Sequence, residues 1–172
     1  KTANDVMLNN CVALYPTETG VYPGWKTRAL SISAYRNVSV NNFTAIGDGT
    51  YTAGEPVVIV QFMAENIQFN NLNISGFKNA SSDFKVLGGV NRPKKISASN
   101  INIRHSSNNI GIFGGAKVYD LKIIGANLIG NGKGTAVQLP NRNSDIIGIK
   151  AEGYTNQAKI IDKFYREIPS VL

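Results

Sequence analysis

Apolar and polar residues alternate through several short segments of this chain, and one arrangement of them recurs. Each copy has two alternating apolar residues, a polar pair that ends in asparagine, and two more alternating apolar residues. Alternation with a period of two is typical of β-strands that bury one face. The pattern therefore predicts pairs of strands that are joined at an asparagine corner. The four clearest copies cover residues 6–14, 38–46, 67–74 and 96–103.

The corner positions recur at nearly even intervals, which indicates stacked repeats. A fifth copy over residues 116–123 places Asp120 at the corner, 20 residues after the fourth corner, and residues 144–149 form a degenerate sixth copy. The first four corner residues, which are 32, 29 and 29 residues apart, are Asn10, Asn42, Asn71 and Asn100.

A second set of alternating segments lies between these copies, at residues 30–32, 57–62, 84–86, 110–112, 137–139 and 158–160. A unit of three short strands cannot bury its own apolar face, but stacked copies can, because each strand pairs in parallel with its equivalent in the next turn. Asparagine tolerates the left-handed conformation that a corner requires, and its amide can bond to an asparagine one coil away. A β-sandwich also has alternating strands, but its hairpins do not repeat a corner residue in register. The sequence therefore predicts an all-β fold, a parallel β-helix or solenoid of about six coils, with a ladder of buried asparagine amides at one corner.

This repeat resembles the right-handed parallel β-helix superfamily, which includes pectate lyases, polygalacturonases, alginate epimerases and phage tailspike proteins. The resemblance covers residues 4–163 and implies that the strands at Val57, Phe84, Ile110 and Val137 are the first strands of their coils. Members of this superfamily commonly bind a polysaccharide along the groove beside that first sheet.

The chain fits a single β-helix domain over residues 1–172. Because it starts with neither an initiator methionine nor a secretion signal, we interpret it as a fragment of a longer protein. Residues 160–172 depart from the repeat, and we expect them to close the last coil irregularly or to form a linker.

Composition narrows the choice of partners and cofactors. The 18 Lys and Arg residues against 11 Asp and Glu residues give a formal net charge of +7, and the low charged fraction of 17% argues against general disorder. The longest apolar run, residues 57–60, is too short to span a membrane. One cysteine and one histidine exclude a disulfide framework and most catalytic zinc sites. We therefore expect no membrane span and no cofactor.

The sequence contains no motif for binding calcium or nucleic acid. Calcium serves some lyases of this superfamily, but it needs several oxygen ligands together, and no acidic cluster of that density is present. The seven Tyr and seven Phe residues do not interleave with the basic residues as a stacking platform for bases would. Neither a metal site nor a nucleic-acid partner is therefore predicted.

Basic residues stand immediately before the second strand of several coils. If the coils stack about 4.8 Å apart, these side chains form a column along the helix axis. Such a column would attract an acidic polysaccharide, although surface lysines also keep a stacked solenoid soluble. Lys85 projects outward beside the column, Glu65 interrupts it, and Trp25 could either stack on a sugar ring or fold its loop onto the core. The column consists of Arg36, Lys94, Lys95, Lys117 and Arg142.

Two carboxylates are candidates for catalysis. Glu55 and Asp83 stand just before the first strands of neighbouring coils, and hydrolysis of a glycosidic bond needs two carboxylates at a defined separation. The alternative is that both carboxylates solvate loops. Lyase chemistry would need a base and a cation, for which Arg104 and His105 form an adjacent pair. Whether the chain is an enzyme is left open by these residues.

The segment 56–62 is apolar at both alternating sets of positions, so the outward face of this strand should be covered. A second chain could provide the cover, since tailspike-like proteins are trimers whose β-helices pack side by side. Residues 17–26 of the same chain are the competing cover.

These observations favour a carbohydrate-recognition β-helix that binds, and could depolymerise, an acidic or surface polysaccharide in the manner of a phage tailspike. An enzyme of this kind would be a glycoside hydrolase or a polysaccharide lyase. The alternatives are a non-catalytic structural or adhesin β-helix and a free-standing polysaccharide lyase or epimerase. The corresponding expectations are an extracellular or virion-surface location and a homotrimer.

Overall fold

The computed structural model describes residues 4–15, 28–47, 55–77, 80–88, 92–104, 110–115, 117–139 and 144–160, and all regular structure in these ranges is β-strand. From β3 onward, short strands of four or five residues alternate with long strands of nine to twelve residues. The strands are β1 (Asn4–Asn9), β2 (Val12–Tyr15), β3 (Leu30–Ser33), β4 (Arg36–Gly47), β5 (Val58–Gln61), β6 (Glu65–Ser75), β7 (Phe84–Leu87), β8 (Lys94–Arg104), β9 (Ile110–Gly114), β10 (Tyr119–Ile129), β11 (Thr135–Leu139), β12 (Ser144–Glu152) and β13 (Asn156–Ile160).

The strands form two parallel sheets. The long-strand sheet has the order β1-β4-β6-β8-β10-β12, with β2 also paired to β4, and the short-strand sheet has the order β13-β11-β9-β7-β5-β3. From β3 onward, consecutive strands alternate between the two sheets, so each turn of the chain stacks on the turn before it. The fold is therefore a parallel β-solenoid, as the sequence predicts. It has about four turns rather than the six expected.

Each of the strands β4, β6 and β8 bends near its middle at a residue in the left-handed region of the backbone. These residues are Asn42, Asn71 and Asn100, with φ values of 55°, 59° and 54°. Asparagine adopts this conformation at low cost because its short polar side chain can form local hydrogen bonds. On each side of the bend the strand alternates between buried and outward residues. The predicted order of strand, asparagine corner and strand is therefore confirmed.

The corner asparagines form a ladder of side-chain hydrogen bonds. Asn71 Nδ2 donates to Asn42 Oδ1 at 2.8 Å, and Asn42 Nδ2 donates to Asn10 Oδ1 at 2.9 Å. A second ladder runs beside the first, where Asn70 Nδ2 donates to Asn41 Oδ1 at 2.8 Å. The ladder is predicted correctly, but the expectation that its amides are buried is wrong, since both ladders face solvent. The apolar residues on either side of the bend already fill the interior.

Because the ladder is exposed, Asn71→Ala should lower the free energy of unfolding by about 2 kcal/mol, mainly through the strain of a left-handed alanine. Asn71→Gly removes the same amide but keeps the conformation, and it should cost only about 1 kcal/mol for the lost hydrogen bonds. Urea denaturation of the two variants separates these contributions. Equal losses in both variants would contradict this explanation of the bend.

In β10 the corner residue is Gly125 rather than Asp120. The pairing of β10 with β8 sets Ile124 beside Ser99, and the next residue, Gly125, has a φ of 67°. The register predicted for residues 116–123 is therefore wrong, because glycine provides the left-handed corner without a polar side chain. A separate left-handed corner lies at the start of the long strands, and its members are Asp5, Asn37, Asn66, Lys95 and Asp120.

Inward residues of both sheets fill the interior of the solenoid. Phe69 of β6 and Phe84 of β7 are fully buried, and their rings meet edge to face with centroids 5.2 Å apart. Removal of such side chains from water, turn after turn, is the main force that stabilises the stack.

Strand β5 is buried on both of its faces. Val57, Val58, Ile59 and Val60 are all shielded from solvent within a single chain. The predicted cover of the outward face is therefore confirmed, and no second chain is needed to provide it. Residues 17–26, the proposed cover, lie outside the described residues.

Candidate functional site

The first residues of four long strands stack at one edge of the solenoid. The register places Arg36 of β4 beside Glu65 of β6, Glu65 beside Lys94 of β8, and Lys94 beside Tyr119 of β10. Parallel strands lie about 4.8 Å apart, so these side chains follow one another along the solenoid axis. The column that the sequence predicts is present for Arg36 and Lys94, with Glu65 between them. We name this surface the basic edge, and it consists of Arg36, Glu65, Arg92, Lys94, Lys95, Lys117 and Tyr119.

Glu65 bridges the two cations on either side of it. Its Oε1 lies 3.1 Å from Lys94 Nζ, and its Oε2 lies 3.5 Å from Arg36 Nε. A hydrogen bond from Lys94 lowers the pKa of Glu65, and the positive charges of Lys94, Arg36 and Lys95 add to this against the opposing effect of desolvation. The Arg36 and Lys94 side chains are 55% and 51% exposed, whereas the Glu65 side chain is 21% exposed. The two cations therefore reach solvent above a carboxylate that anchors them.

Lys95 adds another exposed cation at the next position of β8. Its backbone is left-handed, with a φ of 56°, at the corner where the neighbouring turns carry Asn66 and Asp120. A side chain without a short polar group costs about 1–2 kcal/mol in this conformation. The basic edge thus displays positive charge at a position where asparagine or glycine would be more stable.

Arg92 packs on Tyr119 at the β10 side of the basic edge. Its guanidinium carbon lies 5.2 Å from the centroid of the Tyr119 ring, and its Nη1 donates to the phenol oxygen at 2.6 Å. Lys117 is exposed and lies two residues before β10. Tyr119, not Lys117, therefore occupies the column position on this turn, and Lys117 lies next to the column. This displacement follows from the register of β10, which differs from the predicted one.

Exposed apolar side chains lie in the turns that lead to the basic edge, and the sequence reasoning missed them. Tyr35 stands directly before β4, and Phe62 and Met63 lie between β5 and β6. Glu65 N donates to the carbonyl oxygen of Tyr35 at 3.0 Å, which brings the two turns together. Phe62 is counted as a strand residue in the sequence pattern, because the segment 57–62 gives no sign of where the strand ends.

Lys85 lies on the short-strand sheet and not at the basic edge. It is in register with Ile59 and Phe113, and its Nζ lies 5.1 Å from the centroid of the Phe113 ring. Burial lowers the pKa of Lys85, with the nearby charge of Glu55 acting in the opposite direction and that of Arg28 in the same direction. A role for Lys85 in binding stays a prediction, separate from the column.

The two candidate catalytic carboxylates have different surroundings. Glu55 Oε2 accepts a hydrogen bond from Arg28 Nη2 at 2.8 Å, as part of an ion pair. Asp83 is completely buried, and its charge is one of the factors that raise the pKa of Tyr154, after burial of the phenol. The backbone carbonyl of Glu55 accepts from Ser81 N at 3.2 Å, so Glu55 lies opposite Ser81 rather than opposite Asp83. Catalysis by this pair stays a prediction.

Several candidates cannot be placed. Trp25, Arg142 and His105 lie outside the described residues. Within the described ranges, no group of three or more His, Cys, Asp or Glu side chains could hold a metal ion. The same ranges contain no helix with the length and apolar character needed to cross a membrane.

The chain is similar to parts of much longer proteins, which are phage proteins or a phage-related bacterial protein. It is 40% identical over 169 residues to the phage-related protein YobO of Bacillus subtilis strain 168, a match that covers 98% of this chain and 21% of that protein. It is 28% identical over 170 residues to the pre-neck appendage proteins of Bacillus phages phi29 and PZA, covering 96% of this chain and 20% of each of them. The chain therefore spans about a fifth of the length of these curated relatives. No protein-family model and no solved structure matches it.

The solenoid and these relatives fit a phage structural protein. The stacked parallel turns confirm the solenoid architecture that the resemblance to the parallel β-helix superfamily implies. No family model matches that would identify a particular superfamily.

Proposed function

We propose that this chain is a solenoid segment of a virion appendage and that its basic edge binds an acidic surface polysaccharide. The observation that carries the proposal is the geometry around Glu65. Arg36 and Lys94 lie on alternate turns of the solenoid, are half exposed, and are held in place by one less exposed carboxylate. Similarity to pre-neck appendage proteins supports a location on the outside of a virion.

The spacing of the basic edge suits a linear polyanion. Arg36 and Lys94 are two strand spacings apart, about 10 Å, so a polymer that runs along the axis meets them in succession. Arg92 and Lys95 widen the positive surface on the turn of Lys94, and Lys117 extends it to the next turn along the axis. Each exposed charge contributes little, about 0.2–1 kcal/mol, so affinity arises from several contacts along one polymer and weakens as salt screens them.

Depolymerisation is not part of this proposal. The buried Asp83 and the ion-paired Glu55 lie on the short-strand side of the turns, away from the basic edge. In the column from Arg36 to Tyr119, Glu65 is the single carboxylate, whereas hydrolysis of a glycosidic bond needs two. Assays for unsaturated ends and for reducing ends, run on the same incubations with polysaccharide, separate a lyase, a hydrolase and a binder. We expect binding without release of either kind of end.

The double substitution Arg36→Gln and Lys94→Gln tests the proposal. It should weaken binding of an acidic polysaccharide several-fold and reduce the salt dependence of the affinity, because two of the contacting charges are removed. Affinity is measured by isothermal titration at low and at high salt.

The matched control is Lys133→Gln with Lys150→Gln, which makes the same change in net charge at exposed positions of the β10–β11 turn and of β12. We expect this control to retain most of the affinity. The proposal would be contradicted if both double variants lost the same affinity, or if the unaltered chain bound no acidic polysaccharide. The basic edge would then serve only to keep the protein soluble.

A further inference from the structure

Phe62 combines two features that are costly for the fold. The residue is 52% exposed, and its backbone is left-handed with a φ of 59°. A bulky residue in this conformation is an outlier that costs about 1–2 kcal/mol relative to glycine or asparagine. Burial compensates for little of this cost, since the residue is half exposed. Strained residues of this kind are concentrated at functional sites.

The turn before Phe62 along the axis has the same backbone but a different side chain. Ser33 pairs with Gln61, so Ala34 lies beside Phe62, and Ala34 has the same φ of 59°. The left-handed position itself therefore requires no aromatic ring. Both residues lie shortly before the basic edge, Ala34 two residues before Arg36 and Phe62 three residues before Glu65, so the exposed ring is what distinguishes Phe62.

Among the described residues, the surface around Phe62 mixes apolar and charged side chains. Met63 follows it directly and Tyr35 lies in the preceding turn, both exposed, and Arg36 and Lys94 flank Glu65 beyond them. A docking surface for another protein chain is usually a larger apolar patch. A sugar ring needs only one aromatic face for its C–H groups, while its charged substituents need cations at its rim.

We propose that the Phe62 ring stacks on a sugar ring of the acidic polysaccharide whose charged groups meet Arg36 and Lys94. This inference rests on the proposed function and adds to it a ring-stacking contact at a defined residue. The ligand must then carry sugar rings with an apolar face, and a polyanion without such rings, such as polyphosphate, should not use Phe62.

The substitution Phe62→Gly separates the ring from the backbone. It should leave the protein as stable as the unaltered chain or more so, because glycine relieves the left-handed strain. It should nevertheless weaken binding of the acidic polysaccharide roughly two- to tenfold, the range expected for one aromatic contact. The salt dependence should not change, because every charge is retained. Phe62→Trp should restore the affinity.

The control is Ala34→Gly, which relieves the same strain one turn away and removes no ring. It should not alter the affinity. Polyphosphate is the control ligand, and its binding should be equal for the unaltered chain and Phe62→Gly. Thermal denaturation and sedimentation velocity accompany the titrations.

The outcomes distinguish this inference from the proposed function. If the unaltered chain binds no acidic polysaccharide at low salt, the proposed function fails. If it binds, and Phe62→Gly binds equally well, the stacking contact is refuted while the charge-based function stands. A change in sedimentation with unchanged affinity would assign Phe62 to a contact between protein chains, which also overturns the inference.

Discussion

Phe84→Ala should lower the free energy of unfolding by about 3–5 kcal/mol, which is a large part of the stability of an ordinary domain. Phe84 has no exposed surface, and its ring packs edge to face against Phe69 across the interior. Its neighbours in register, Val58 and Ile112, are fixed by parallel pairing on both sides, so the core cannot collapse into the space that the ring leaves. The midpoint of urea denaturation measures the loss.

Phe113→Ala is the matched control, because it deletes the same side chain on the adjacent strand β9. Phe113 faces outward beneath the Lys85 ammonium and is partly exposed. Its loss should cost about 1 kcal/mol, chiefly for the contact between cation and ring. Similar losses in the two variants would mean that the inward and outward faces of the short-strand sheet are assigned wrongly.

Gly76→Ala should have the second largest effect, with a loss of about 3 kcal/mol from a left-handed alanine together with overpacking. Gly76 follows β6 with a φ of 75°, and a Cβ on it would collide with the backbone carbonyl of Gly47 one turn away. The contact is mutual, because a Cβ added to Gly47 would lie 2.6 Å from the carbonyl oxygen of Gly76. Neither backbone can retreat without breaking the pairing of β4 with β6.

Gly132→Ala isolates the conformational part of that loss. Gly132 has a φ of 91°, and a Cβ on it would have no neighbour within 4 Å. The control should therefore lose only the cost of the left-handed alanine, about 1–2 kcal/mol. If Gly76→Ala loses no more than Gly132→Ala in urea denaturation, the close approach of the two turns is not a constraint on the fold.

The architecture could be predicted because it is encoded by local periodicity. Alternation in segments such as 67–74 gives the inward rows, and the repeated asparagine gives the corner that joins them. The buried outward face of β5 also follows from the pattern alone, since apolar residues occupy both sets of positions. Each of these features can be seen in the residues of a single turn, without knowledge of how the turns are connected.

The details of the candidate site depend on loop lengths, which the pattern does not reveal. The turn from Phe62 to Ala64 is longer than the preceding turn, and the strand β10 begins at Tyr119, so Lys117 and Asp120 do not take their expected places. Alternation also does not say whether a corner amide points inward or outward, which is why the exposure of the ladder was not foreseen. The exposure of Phe62 was also not foreseen, because the pattern does not show that β5 ends at Gln61.

Glu65 offers the most direct test that the charge of the basic edge governs binding. Its carboxylate orients Arg36 and Lys94 but also offsets part of their positive charge, so Glu65→Gln raises the net positive charge of the edge without removing either cation. The decisive measurement is the affinity of the unaltered chain and of Glu65→Gln for one acidic polysaccharide across a range of salt concentrations. We expect Glu65→Gln to bind about two- to fivefold more tightly at low salt, with a steeper salt dependence. Unchanged or weaker binding by Glu65→Gln would contradict a polysaccharide that runs over this edge.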